Sequence, residues 1–176
     1  ASLSNGGIVV AWNSPDADGV GVFAQVFDAQ GNGGATFQMN TNTHQDQNQP
    51  IVVGLQDGGF IAVWNDYDGL FGIGADGWGG GVFGQRYDAS GTAVGTQFQV
   101  NTTTTFDQIN PAIAVLTDGS YVVTWQSGNQ DGDTWGIYGQ HFAADGTRIA
   151  GEFQVNTTTA DEQKVPAIAA LANGGW

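Results

Sequence analysis

The sequence predicts an all-β fold built from four-stranded antiparallel blades of the β-propeller type. Three observations carry this. First, the chain repeats itself. PAIAVLTDGSYVVTW (Pro111–Trp125) returns upstream as PIVVGLQDGGFIAVW (Pro50–Trp64) and begins again as PAIAALANGGW (Pro166–Trp176), and its second half opens the chain as LSNGGIVVAW (Leu3–Trp12). The equivalent leucines Leu3, Leu55, Leu116 and Leu171 stand 52, 61 and 55 residues apart, and self-similarity in a held phase marks a repeat architecture. Second, each repeat holds four short apolar runs punctuated by Gly, Asp and Asn, with no helical period. Third, three of the links within a repeat are short and one is long and polar. That is an antiparallel meander followed by a crossover to the next unit. An open stack or solenoid of the same meanders is the alternative architecture.

The first strand of each repeat follows a proline: IVVGL, AIAVL, AIAAL. A turn comes next, Asp57-Gly58-Gly59, Asp118-Gly119-Ser120 or Asn5-Gly6-Gly7. DG and NG between apolar runs are strong hairpin signals because such turns need residues at positive φ. The second strand (IVVAW, FIAVW, YVVTW) is almost continuously apolar, so both of its faces should be covered. The third alternates aromatic, Gln, aromatic on one face: Phe23/Gln25/Phe27, Phe83/Gln85/Tyr87, Tyr138/Gln140/Phe142. Its centre is always small (Ala24, Gly84, Gly139), which predicts close approach by another backbone or sheet. A turn then leads to a short fourth strand, FQMN or FQVN, and a polar crossover runs to the next proline.

This phase divides the chain into repeat 1 (1–49, a blade lacking its first strand), repeat 2 (50–110), repeat 3 (111–165) and the start of a fourth (166–176). Repeat 2 carries an extra loop at 68–80 that contains Leu70, Phe71 and Trp78. The chain starts and stops within a repeat, so a segment of something longer is expected. Exposed strand edges template further pairing. Pro166–Trp176 is therefore expected to complete the first blade, or a neighbouring copy's, as a closed ring or an open filament.

Three basic residues stand against 17 acidic ones, for a formal charge of -14. That balance disfavours nucleic acid and anionic membranes, both of which attract Lys and Arg. No apolar run approaches the ~18 residues of a membrane span. Cysteine is absent, which removes disulfides and thiolate metal sites.

The pattern GGxVVxW, an acidic DG loop, GVYGQRYDAxG, EFxVNTxT, DQ and PAIAxL resembles tandem repeats of very large secreted bacterial proteins of the RTX, hemolysin-type calcium-binding, adhesin-like class. The resemblance implies an extracellular or cell-surface location, a repetitive surface or matrix role and calcium dependence. It implies no catalytic residues. The nonapeptide GGxGxDxUx of that class does not occur in this chain.

The residues themselves offer a candidate calcium site in each acidic loop: Asp16 and Asp18, Asp66 and Asp68, Asp131 and Asp133. Carboxylates two residues apart on a turning, glycine-bearing loop can aim at one centre. Calcium takes six to eight oxygens at ~2.3–2.6 Å and tolerates irregular geometry. Asp and Gly are also what tight turns prefer, so turn formation is the competing reading. A glycosidase pair is a further use of two carboxylates, but an active site is one asymmetric constellation and this pair recurs in every repeat. His44 and His141 occupy no repeated position. These considerations give a non-enzymatic scaffold, adhesin or filament module as the expected function. A propeller lectin is the alternative, with Trp78, Trp135 and Phe71 as sugar contacts because they lie off the repeated core. Part of a secreted glycan-processing enzyme is the third reading.

Overall fold

The computed structural model describes residues 1–67 and 79–176, and within them eleven strands and no helix. Strands β1 (Ile8–Pro15), β2 (Val20–Phe27) and β3 (Phe37–Gln38) make a three-stranded sheet. Strands β4 (Asp46–Gly54), β5 (Phe60–Tyr67), β6 (Gly80–Tyr87) and β7 (Ala93–Gln99) make a four-stranded one. Strands β8 (Gln108–Val115), β9 (Tyr121–Gly128), β10 (Trp135–Phe142) and β11 (Arg148–Gln154) repeat it. Every pairing between these strands is antiparallel and joins sequence neighbours, so each sheet is a meander. The expected blades are present.

The blades are held together through their faces. One apolar core lies between the first and second sheets and includes Val9, Val22, Met39, Phe60, Trp64 and Tyr87. A second, between the second and third sheets, includes Ile61, Val63, Val82, Tyr121, Trp125 and Phe142. Strand β5 therefore serves both: Phe60, Ala62 and Trp64 face the first blade, while Ile61 and Val63 face the third. The continuous apolar run of the second strand is explained by this double duty. Trp64 and Trp125 are 0 % exposed, whereas their counterpart Trp12 is half-buried. Its neighbours Ile8 and Val10 are 46 % and 44 % exposed, since no blade covers that outer face of β1 among the described residues.

Three details differ from the sequence expectation. The first strands begin before proline, at Asp46 and Gln108, and cross it on a bulge. Gln49 and Asn110, just before each proline, sit at φ 55° and 56° to make that bulge. The small residue of the third strand is met by a ring of its own blade. A Cβ on Gly139 would lie 2.7 Å from Phe153 Cζ, and one on Gly84 2.9 Å from Phe98 Cζ. The repeated glutamine holds the fourth strand at its own irregularity. Gln85 donates to the Val94 carbonyl (3.1 Å) and Gln140 to that of Ala150 (3.2 Å), where the registers of β7 and β11 shift. The fourth strands are accordingly longer than FQVN, apart from β3.

At the two ends, Ala1–Leu3 fold back along β1, with Ser2 opposite Ile8. Residues 166–176 form no strand but reproduce the repeat's turn, where Leu171 N–H donates to the Gly175 carbonyl (2.7 Å). The Trp176 ring lies 5.1 Å from that of Phe153.

Candidate functional site

The crossovers are the most regular polar feature of the chain. In each one an asparagine and a glutamine seven residues later clamp the loop. Asn40, Asn101 and Asn156 accept the backbone N–H of Val22, Val82 and Ile137 at 2.9, 2.8 and 2.7 Å. Their amides donate to Gln47, Gln108 and Gln163 at 2.7, 3.0 and 3.0 Å. Each glutamine donates in turn to a carbonyl of the loop, that of His44, Thr105 or Ala160. The NTxT…DQ pattern is thus a structural clamp that satisfies backbone groups where the chain changes blades. Asn101 matches the glycosylation pattern Asn-x-Thr, but it is 1 % exposed and committed on both sides of its amide.

The acidic loops are tied into these clamps. Asp16 accepts from Gln38 Nε2 (2.8 Å), whereas Asp18 faces His44 Nε2 at 3.7 Å. Buried Asp66 accepts from Asn42 (3.1 Å) and Gln47 (3.3 Å). Asp131 accepts from Asn156 (3.3 Å), while Asp133 accepts the backbone N–H of Thr134 (2.8 Å) and Asp161 (2.9 Å). In both fully described loops the two carboxylates engage different partners. Among the described residues no three His, Cys, Asp or Glu side chains are grouped to hold a metal ion. As arranged, Asp16, Asp66, Asp131 and Asp133 accept from N–H donors. Asp68, Phe71 and Trp78 lie outside the described residues.

Two openings lie near the strand starts. The first, of about 600 Å³, is ringed by equivalent positions of three repeats: Gln49 and Pro50, Asn110 and Pro111, Val165 and Pro166. This is where the first strands converge. Its rim is a relay of amides from blade to blade. Asn65 donates to Gln49 (2.7 Å) and accepts from Asn110 N–H (3.1 Å), and Gln126 accepts from Asn110 Nδ2 (2.7 Å) and Val165 N–H (3.2 Å). No carboxylate belongs to its described lining.

The second is a cleft of about 230 Å³ between successive crossovers, lined by Phe106, Asp107, Asn129, Trp135 and Glu162 among others. Phe106 is brought to the surface by a left-handed backbone (φ 63°) and is 46 % exposed. Asp107 is oriented by the N–H of Gly80 (2.9 Å). Glu162 pairs with Lys164 at 2.6 Å, and the same ammonium lies 5.7 Å from the centre of the Trp135 ring, within cation–π range. Of the three aromatics singled out from sequence, Trp135 alone is described. Asp107 and Glu162 hold the same position in successive crossovers, as Asp46 does in the first, and nothing in the sequence joins them to Trp135.

No family model matches the sequence, and no curated protein matches it. Solved structures do share its fold. A thermostable family-43 glycoside hydrolase matches with a TM-score of 0.54 over 93 % of this chain and 55 % of its own, at 10 % identity. An α-L-arabinofuranosidase from Lactobacillus brevis matches with 0.51 over 86 % and 50 %, at 12 % identity. An endo-arabinase from Bacteroides thetaiotaomicron VPI-5482 matches with 0.52 over 86 % and 59 %, at 13 % identity. The chain spans about half the length of these structures. Their likeness bears out the propeller-type fold and corrects the functional expectation. Its blades are shared with glycan-processing enzymes, so the non-enzymatic scaffold, adhesin or filament is set aside. The repetition of the acidic pairs, which argued against an enzyme, is accounted for by the crossover clamps, whereas Trp135 and Phe106 have no aromatic counterpart in the other repeats.

Proposed function

We propose that this chain is a segment of a glycan-processing propeller and that it contacts sugar at the Trp135 cleft. The observation that supports this most is the company Trp135 keeps: Phe106, two carboxylates and Asn129 line one opening. Aromatic faces take the apolar side of a sugar ring, and carboxylates and amides take its hydroxyls. Glycoside hydrolysis uses a carboxyl pair flanking the scissile bond, one member as acid and the other as base or nucleophile. Asp107 and Glu162 fill those roles here. The wider opening at the strand starts has no carboxylate among its described lining, and so no proton carrier for this chemistry. The extracellular location implied by the sequence resemblance is where polymeric glycans are met.

The test is release of reducing sugar from neutral polysaccharides such as arabinan by the wild-type chain, Asp107→Asn and Glu162→Gln. Loss of either carboxyl should lower the rate ~100-fold or more while leaving the melting temperature within a few degrees. Unchanged rates in both variants would refute the assignment.

A further inference from the structure

A third opening, which shares no lining residue with the Trp135 cleft, lies where the second and third blades meet, and it exists because the repeat is broken there. The corresponding place between the first and second blades is filled. A Cβ on Gly91 would lie 2.6 Å from Phe37 Cε1 and 3.4 Å from Val26 Cγ2, so ring and valine close against the turn. Between the second and third blades the equivalent glycine is Gly146. The nearest atom to a Cβ built on it is the Tyr121 hydroxyl, 3.7 Å away. A pocket of about 270 Å³ results, floored by Leu55, Ile61, Phe98 and Tyr121.

Three polar residues of this pocket differ from their counterparts in another blade. Arg86 stands where the first blade has Val26, Tyr121 where the second has Phe60, and Asp145 where the second has Ser90. Two polar groups, Arg86 and Tyr121, in place of apolar ones at one spot of the interface are costly for packing unless something uses them. Arg86 is one of three cations in the chain. Asp57 and the Ala144 carbonyl engage two of its nitrogens, in a group that carries five N–H donors. Gly95, at φ 76° and with nothing within 4 Å of a Cβ built on it, keeps the opposite wall low.

We propose that this inter-blade pocket binds a neutral sugar residue, such as one unit of a glycan chain. The size is that of a monosaccharide rather than the ~300–1,000 Å³ of sites for larger ligands. The apolar floor matches the face of a pyranose or furanose ring. Arg86 donates to ring hydroxyls, Asp145 accepts from them, and the Tyr121 hydroxyl does either. An anionic sugar is disfavoured because Asp57 already neutralises Arg86, Asp145 stands at the rim and the chain carries a charge of -14. The inference extends the glycan-directed reading above to a separate site and rests on it for the ligand class.

The experiment is titration of the 176-residue chain with methyl glycosides of neutral pentoses and hexoses, read by affinity, for wild type, Arg86→Val, Tyr121→Phe and Trp135→Ala. Arg86→Val installs what the first blade carries at that position and Tyr121→Phe what the second carries, and so they should fold. Measured in the Trp135→Ala background, which removes the other proposed sugar contact, each should weaken binding tenfold or more. Binding that survives Arg86→Val and Tyr121→Phe but is lost in Trp135→Ala overturns this pocket and leaves the proposed function standing. Absence of any binding to the wild type also overturns the pocket. If polysaccharide hydrolysis is absent as well, both readings fall.

Discussion

The two blade interfaces share a frame and differ at one edge. Phe60 stacks on Tyr87 in the first, and Tyr121 on Phe142 in the second, each with ring centres 5.0 Å apart. Trp64 and Trp125 are sealed at the same position of the two. The edge is what changes: Phe37 and Val26 close the first interface, while Arg86, Tyr121 and Asp145 line an opening in the second. A repeat protein keeps its stability in the residues that recur. Specificity is then sought in those that do not.

The largest expected effect tests the shared frame. Trp64→Ala and Trp125→Ala should each cost ~3–5 kcal/mol, the usual range for emptying a sealed aromatic site. Trp12→Ala, on the uncovered face, should cost less than half as much. Urea unfolding of the three variants checks this, and equal losses would mean that the blade faces are not what hold the fold. Next comes the crossover clamp. Asn101→Ala removes the acceptor of Val82 N–H and two donations, leaving buried groups unpaired at ~1–3 kcal/mol. Asn156→Ala, in a more exposed clamp, should cost less in the same assay.

The smallest effect is that of acid on the turns. Asp28, Asp88, Asp118 and Asp145 are held below the ordinary carboxyl value of 3.8 chiefly by side-chain and backbone hydrogen bonds from Asn32, Ser90, Ser120 and Thr147. For Asp57 burial opposes ionisation, but the Gly59 N–H and Arg86 outweigh it and the value is again lowered. These groups ionise more readily in the folded chain than in the unfolded one. Their contribution is therefore full above pH 3.8 and is lost as pH falls through the lower folded values. Asp57→Asn should flatten that part of the stability curve slightly, and an exposed pair of this kind is worth ~0.2–1 kcal/mol. A curve that stays level below pH 4 would contradict the hydrogen-bond pattern of the turns.

Much of the fold was legible because its causes are local and recur. Gly58, Gly119 and Gly146 at positive φ mark the turns, and the apolar runs ending in Trp64 and Trp125 mark strands covered twice. The bulges at Gln49 and Asn110 were hidden, since proline suggested a strand start and nothing nearby shows that the preceding residue turns left-handed within a strand. The partners of the acidic loops were hidden for a related reason. Asp16, Asp66 and Asp131 stand in pairs with a second Asp in sequence, but their partners Gln38, Asn42 and Asn156 come from a fourth strand or crossover 22 to 25 residues away, Asn42 upstream and the other two downstream. Trp135 was legible as an off-pattern aromatic, whereas its neighbours Asp107 and Glu162 come together across the crossovers. Arg86 and Tyr121 could have been found by asking where the repeats disagree rather than where they agree.

The difference between the interfaces is tested most directly by following backbone amide resonances during titration with a neutral pentose glycoside. The account predicts that Gly95 and Gly146 shift together and saturate, while Gly34 and Gly91, their counterparts in the closed interface, stay where they are. Matching shifts at both interfaces, or none at Gly95 and Gly146, would contradict it.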